Sequence, residues 1–258
     1  MRPLQLRGDL ATAAPLPAVL AALALHSPSD LQDMLAALIL SEVIYKRRRQ
    51  ALATLEAYAA ALPVPVALSS VQYSRRSLVH PYLLACGDSC FYVCCRGTKE
   101  LRDFLADGNL ILQELEWQES TLVDGSSSSD ANASVALPVA QSRPAAHRGF
   151  LSRAAGIPVE ALYVHARTRG QRLCLCGHSL GGAVAVLCTL RLLTALGPHA
   201  PPPDVLRCIT FGMPPLGNLA LAQHVHANGW VRYITNYALP GACAADWELK
   251  SRPLAADR

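Results

Sequence analysis

The chain has 258 residues, a formal net charge of +4, 52% hydrophobic residues and only 16% charged ones. That is enough for one domain with a deep core, and too short for two large domains to be the first expectation. The one dense basic run, Lys46-Arg47-Arg48-Arg49, has no interleaved aromatics to stack bases. It argues against a nucleic-acid partner and reads as a solvated helix end, with contact to anionic headgroups as the lesser alternative.

Residues 1–26 form an N-terminal segment that is basic to Arg7 and then rich in Ala and Leu. Asp9, Pro15 and Pro17 interrupt its apolar run, so a frayed entry segment is preferred over a secretory signal. Nine cysteines sit mostly inside apolar runs such as Cys90–Cys95 and Cys174–Cys176, where thiols behave as small hydrophobes. An intracellular location, cytoplasmic or plastid, is therefore preferred over secretion. No CxxC pair with zinc spacing is present, so no metal is expected. Cys86 and Cys90 flank Gly87-Asp88-Ser89 and could meet across a hairpin, but a disulfide there is the disfavoured reading.

Residues 27–240 are read as one domain. Ser27-Pro28-Ser29-Asp30 carries an N-cap, a helix-starting proline and an early acid, and predicts a helix to about Tyr45. A second helix is expected over Gln50 to Leu62, ended by Pro63. Tyr82–Cys86 and Cys90–Cys95 read as paired strands. Residues 124–138, with four consecutive serines, are expected to form a mobile surface loop, and Leu115–Pro144 is the natural lid candidate. A helix from Val159 to about Arg169, a strand over Gln171–Cys176 and an apolar helix over Leu180–Leu196 follow. Val205–Phe211 is a further strand, Asn218 caps a helix over Leu219–Ala227, and the last strand is placed at Val231–Asn236. Alternation of this kind predicts an α/β fold with a mostly parallel sheet and helices on both faces.

Gly177-His178-Ser179-Leu180-Gly181-Gly182 falls between a predicted strand and helix. A serine hydroxyl needs a base to take its proton and a sharp turn to present it, and side chains at 177 and 181 would collide as that turn tightens. Ser179 is thus the candidate nucleophile, with the Leu180 amide facing a developing oxyanion. His178 is read as a packing residue that faces away from Ser179. His147 is favoured as a structural histidine near the site.

Together with Arg96-Gly97-Thr98, His147-Arg148-Gly149-Phe150 and Thr210–Asn218, this segment resembles the class 3 (fungal-type) lipase family, over approximately Ser27 to Pro240. Leu31 to Arg49 looks closer to plant and algal members. The resemblance implies an α/β-hydrolase fold, a lipid ester substrate, contact with a membrane or lipid-droplet surface as an open alternative, and no cofactor. It implies Thr98 as the second oxyanion donor, and Asp103 and Asp107 as shaping the helix beyond it. The family's acid belongs just after Asn236, yet Gly241-Ala242-Cys243 follows Pro240 there. Asp246 is the weak substitute, and Asp204 lies at the wrong edge of the sheet. No histidine follows His226, and His224 and His226 read as exposed helix residues.

Residues 241–258 are a divergent tail in this reading, and the sheet is expected to lack its last strand and helix. Three accounts stay open: a truncated or misassembled product, which is preferred; a lipase-like binding or scaffold protein with an idle Ser179; or a recruited base.

Overall fold

The computed structural model describes residues 27–61, 70–74, 80–98, 111–115, 143–238 and 251–253. Asp103, Asp107, Asp246, the 1–26 segment, the 124–138 loop and most of the lid candidate lie outside them.

Helix α1 (Pro28–Val43) begins where the Ser27 side chain accepts from the Asp30 amide, and α2 (Arg48–Ala61) follows. The strands β1 (Ser70–Tyr73), β2 (Tyr82–Cys86) and β3 (Cys90–Cys95) are antiparallel neighbours. A short antiparallel pair, β4 (Leu112–Glu114) with β5 (Ala145–His147), stands apart from the main sheet. Then come α3 (Arg148–Ala155), α4 (Val159–Thr168), β6 (Arg172–His178), α5 (Leu180–Leu196), β7 (Leu206–Phe211), α6 (Leu219–Ala227), β8 (Ile234–Ala238) and β9 (Ser251–Pro253). The sheet order is β1-β2-β3-β6-β7-β8-β9, parallel from β3 onward.

Both faces of this sheet are covered, which is why its strands read as unbroken apolar runs. Phe91, Val93 and Cys95 of β3, with Leu173 and Leu175 of β6, pack under α3, α4, α5 and α6. Cys90, Tyr92 and Cys94, with Cys174 and Cys176, turn to the other face under α1. Helix α5 with its short extension is long and apolar enough to cross a membrane by composition, but most of it is buried in this core. The hairpin disulfide is excluded by the same alternation: Cys86 packs toward the first cluster and Cys90 toward the second.

Three expectations need correction. The segment placed in a strand from Val231 is a 3₁₀ turn over Trp230–Tyr233, and the strand starts at Ile234. Gly229 at φ 65° turns the chain, and the Tyr233 hydroxyl donates to the Pro201 carbonyl at 2.6 Å, which sets the tyrosine off the strand path. The sheet also continues past β8, where Ser251–Pro253 pairs in parallel with Asn236–Ala238. Finally, α2 starts at Arg48 rather than Gln50, since the amides of Gln50 and Ala51 already bond the Arg47 carbonyl.

Candidate active site

Ser179 stands between β6 and α5 with φ 58° and ψ −130°. It is the one non-glycine residue with positive φ among the described residues. An L-residue there is strained by about 1–3 kcal/mol, so the surroundings must impose the turn. They do so from both sides: the Ser179 amide donates to the Phe211 carbonyl of β7 at 2.9 Å, and its carbonyl accepts from Gly182 at 2.9 Å. Ser179 is 5% exposed.

The flanking glycines are needed for space. A Cβ at Gly177 would lie 2.5 Å from the Gly181 carbonyl, and one at Gly181 would lie 2.2 Å from the Cys95 carbonyl oxygen and 2.8 Å from the Gly97 amide. Gly182 is less crowded, with Thr210 Cβ at 3.1 Å. The end of β3 therefore lies directly on the first turn of α5. Thr98 is one residue past Gly97 in the chain, and the Leu180 amide, at the start of α5, has no intrahelical acceptor at its position. Amide donors at a helix start can hold a developing negative charge.

Beyond the elbow, Asn236 Oδ1 accepts from Thr210 Oγ1 at 3.0 Å and from the Met213 amide at 3.4 Å. Asn218 accepts from the amides of Ala145 and Leu221 and donates to the Arg143 carbonyl, so its cap ties α6 to β5. His147 keeps the structural position expected of it: buried, its Nδ1 accepts from the Gly149 amide at 3.1 Å, and its ring lies 4.5 Å from Phe150. His178 does not pack as expected: it is exposed at the end of β6, opposite Phe211 of β7, with its Nε2 near Gly212. His224 and His226 sit on α6, His224 against Trp230 and Asn228. Asp204 is exposed ahead of β7. Among the described residues no hydrogen bond joins a histidine to Ser179, and no group of three His, Cys, Asp or Glu gathers as a metal site.

Sequence reading missed His80. It is 1% exposed, both ring nitrogens lack a partner, and the Pro81 carbonyl beside it accepts from the Arg96 amide at 3.1 Å. Burial, aided by the charges of Arg153 and Arg96, lowers its pKa from 6.5 to about 4. A histidine held neutral in the fold adds stability in full above pH 6.5 and loses it as pH falls toward 4, by about 3 kcal/mol. Urea midpoints measured from pH 7 to 4 should fall less steeply in His80→Leu than in the wild type. Equal slopes would refute this account.

The family profile for lipase (class 3) matches residues 92–237, more than half of the chain. The chain belongs to the class 3 lipase family. No curated protein matches the sequence. Among solved structures, Rhizomucor miehei triacylglyceride lipase is similar at 19% identity, covering 83% of this chain and 72% of that one, with a TM-score of 0.55. A triacylglycerol lipase whose catalytic centre is a serine protease triad is similar at 21% identity, with the same coverages and a TM-score of 0.57. A lipase from Rhizopus microsporus var. chinensis is similar at 18% identity over 83% and 67%, with a TM-score of 0.55. At these identities the likeness is one of fold, and the fold is that of an α/β-hydrolase. In this class 3 lipase chain, the profile takes in most of β3, the elbow, β7 and most of β8.

Proposed function

We propose that the chain is a serine carboxylic-ester hydrolase for lipid acyl esters, acting through an acyl-enzyme on Ser179. The observation that carries this reading is the strained backbone of Ser179, a non-glycine at φ 58° held between β6 and α5. Strain of this kind persists where a function uses it. In the reaction, Ser179 Oγ forms a bond to the ester carbonyl carbon as its proton passes to a base. The amides of Leu180 and Thr98 receive the oxyanion, and the C–O bond to the alcohol then breaks as the alcohol takes up a proton. Water repeats the attack on the acyl-enzyme and releases a carboxylic acid.

In this reading turnover is slow, because no histidine bonds Ser179 among the described residues. Binding and the anion pocket alone supply a residual rate. Asp246 keeps its place as the candidate acid. Membership of the lipase family supports a lipid ester as substrate, met at a membrane or lipid-droplet surface.

A fluorophosphonate probe read by intact mass tests the nucleophile. The wild type is expected to gain one adduct, which Ser179→Ala loses. Equal labelling of the two, or none of either, would leave a lipase-like scaffold with an idle serine.

A further inference from the structure

The chain between α1 and α2 brings a phenol to the anion pocket. Tyr45 follows the cap residue Ile44 of α1, and its hydroxyl is buried with the Gly97 amide as its nearest donor and no acceptor for its own proton. It is not remote from polar groups. A Cβ built on Gly97 would lie 2.2 Å from Tyr45 Oη, 2.6 Å from the His178 carbonyl oxygen and 3.4 Å from the Gly181 amide nitrogen. The phenol, the strand end before Thr98 and both sides of the elbow therefore border one point. The guanidinium of Arg96 lies 5.8 Å from the centre of the Tyr45 ring, a cation–π contact on the same segment. The Tyr73 hydroxyl donates to the Val43 carbonyl at 3.0 Å and fixes the helix end that carries Tyr45. Burial raises the phenol's pKa, so it stays protonated and can donate.

A buried hydroxyl whose proton has no acceptor costs about 1–3 kcal/mol. Folding alone gains nothing from it, since phenylalanine would fill the same space without that cost. We infer that Tyr45 is a positioning residue for the anion pocket: its hydroxyl braces Gly97 against the elbow and takes up a hydrogen bond to the His178 carbonyl as Arg96–Thr98 tightens on a tetrahedral adduct. The role rests on the nucleophile assigned to Ser179. Placement of an amide donor matters steeply, because a displacement on the order of 1 Å can cost about a hundredfold in rate.

The test is the first-order rate of fluorophosphonate adduct formation at saturating probe, in the full-length chain, with melting temperature measured alongside. Tyr45→Phe keeps the ring over Arg96 and removes only the hydroxyl. It is expected to slow adduct formation about tenfold or more, with the same final labelled fraction and a melting temperature equal to or above the wild type's. Tyr45→Leu, which also removes the ring, should be at least as slow. An unchanged rate in Tyr45→Phe overturns the inference, and so does a melting temperature several degrees lower, which would make the hydroxyl structural. Wild-type protein that forms no adduct removes the Ser179 reading and this inference with it. A labelled wild type with an equally fast Tyr45→Phe removes this inference alone.

Discussion

Gly181→Ala is expected to abolish adduct formation at Ser179, by a hundredfold or more, and to destabilise the chain by several kcal/mol. The three atoms nearest its new methyl, at 2.2, 2.8 and 2.9 Å, all belong to the backbone of Cys95, Arg96 and Gly97, so no side chain can swing aside. Relief requires β3 and the first turn of α5 to separate, and overpacking of an interior costs about 1–3 kcal/mol even where side chains adapt. The same separation would pull the Cys95–Gly97 strand end, and Thr98 with it, away from the elbow and open the proposed anion pocket. Adduct kinetics together with a urea titration check both halves. Normal labelling by a stable Gly181→Ala protein would mean that Cys95–Gly97 does not lie on the elbow.

Asp33→Ala is expected to cost about 3–5 kcal/mol in a urea titration while leaving the folded fraction reactive. The Asp33 side chain is 1% exposed. It accepts from Tyr92 Oη at 2.7 Å and from Arg172 at 2.6 and 3.1 Å, and Arg207 lies 3.3 Å away while also pairing with Asp30 at 2.6 Å. Alanine would strand the half-buried Arg172 and a buried phenol and leave Arg207 with Asp30 alone, and most of the cost is the charge left uncompensated. Arg172 and Arg207 enter their strands at the end opposite Ser179, so the chemistry should be spared. A loss below about 1 kcal/mol would show the network to be solvent-screened.

These two sites also mark how far local sequence carries. Strands β2 and β3 and helices α5 and α6 were legible to the residue, because apolar runs and the Asn218 cap are local signals. The elbow was legible for the same reason, since steric need for glycine and chemical need for serine coincide within six residues. Val231 and Tyr233 look like strand residues, and only the left-handed Gly229 and a bond to Pro201 turn them into a 3₁₀ segment. Strand β9 has no apolar alternation and owes its place to backbone pairing with β8. The bonds from Asp33 to Arg172 span 139 positions, and the approach of Tyr45 to Gly97 likewise joins distant segments, so no window along the chain displays either.

Helix α1 links the two ends of the molecule. Asp33, in its second turn, grips the entry of β6, and Tyr45, just beyond its last turn, touches the strand end at the elbow. Twelve residues at about 1.5 Å each make a splint of roughly 18 Å along the sheet. The segment matched by the family profile begins only at Tyr92, well after this splint. A fragment cut to that match would lose both clamps and bare the cysteine-lined face that α1 covers. Any autonomous folding unit of this lipase-family chain must therefore include α1, some sixty residues before the part by which the family is recognised.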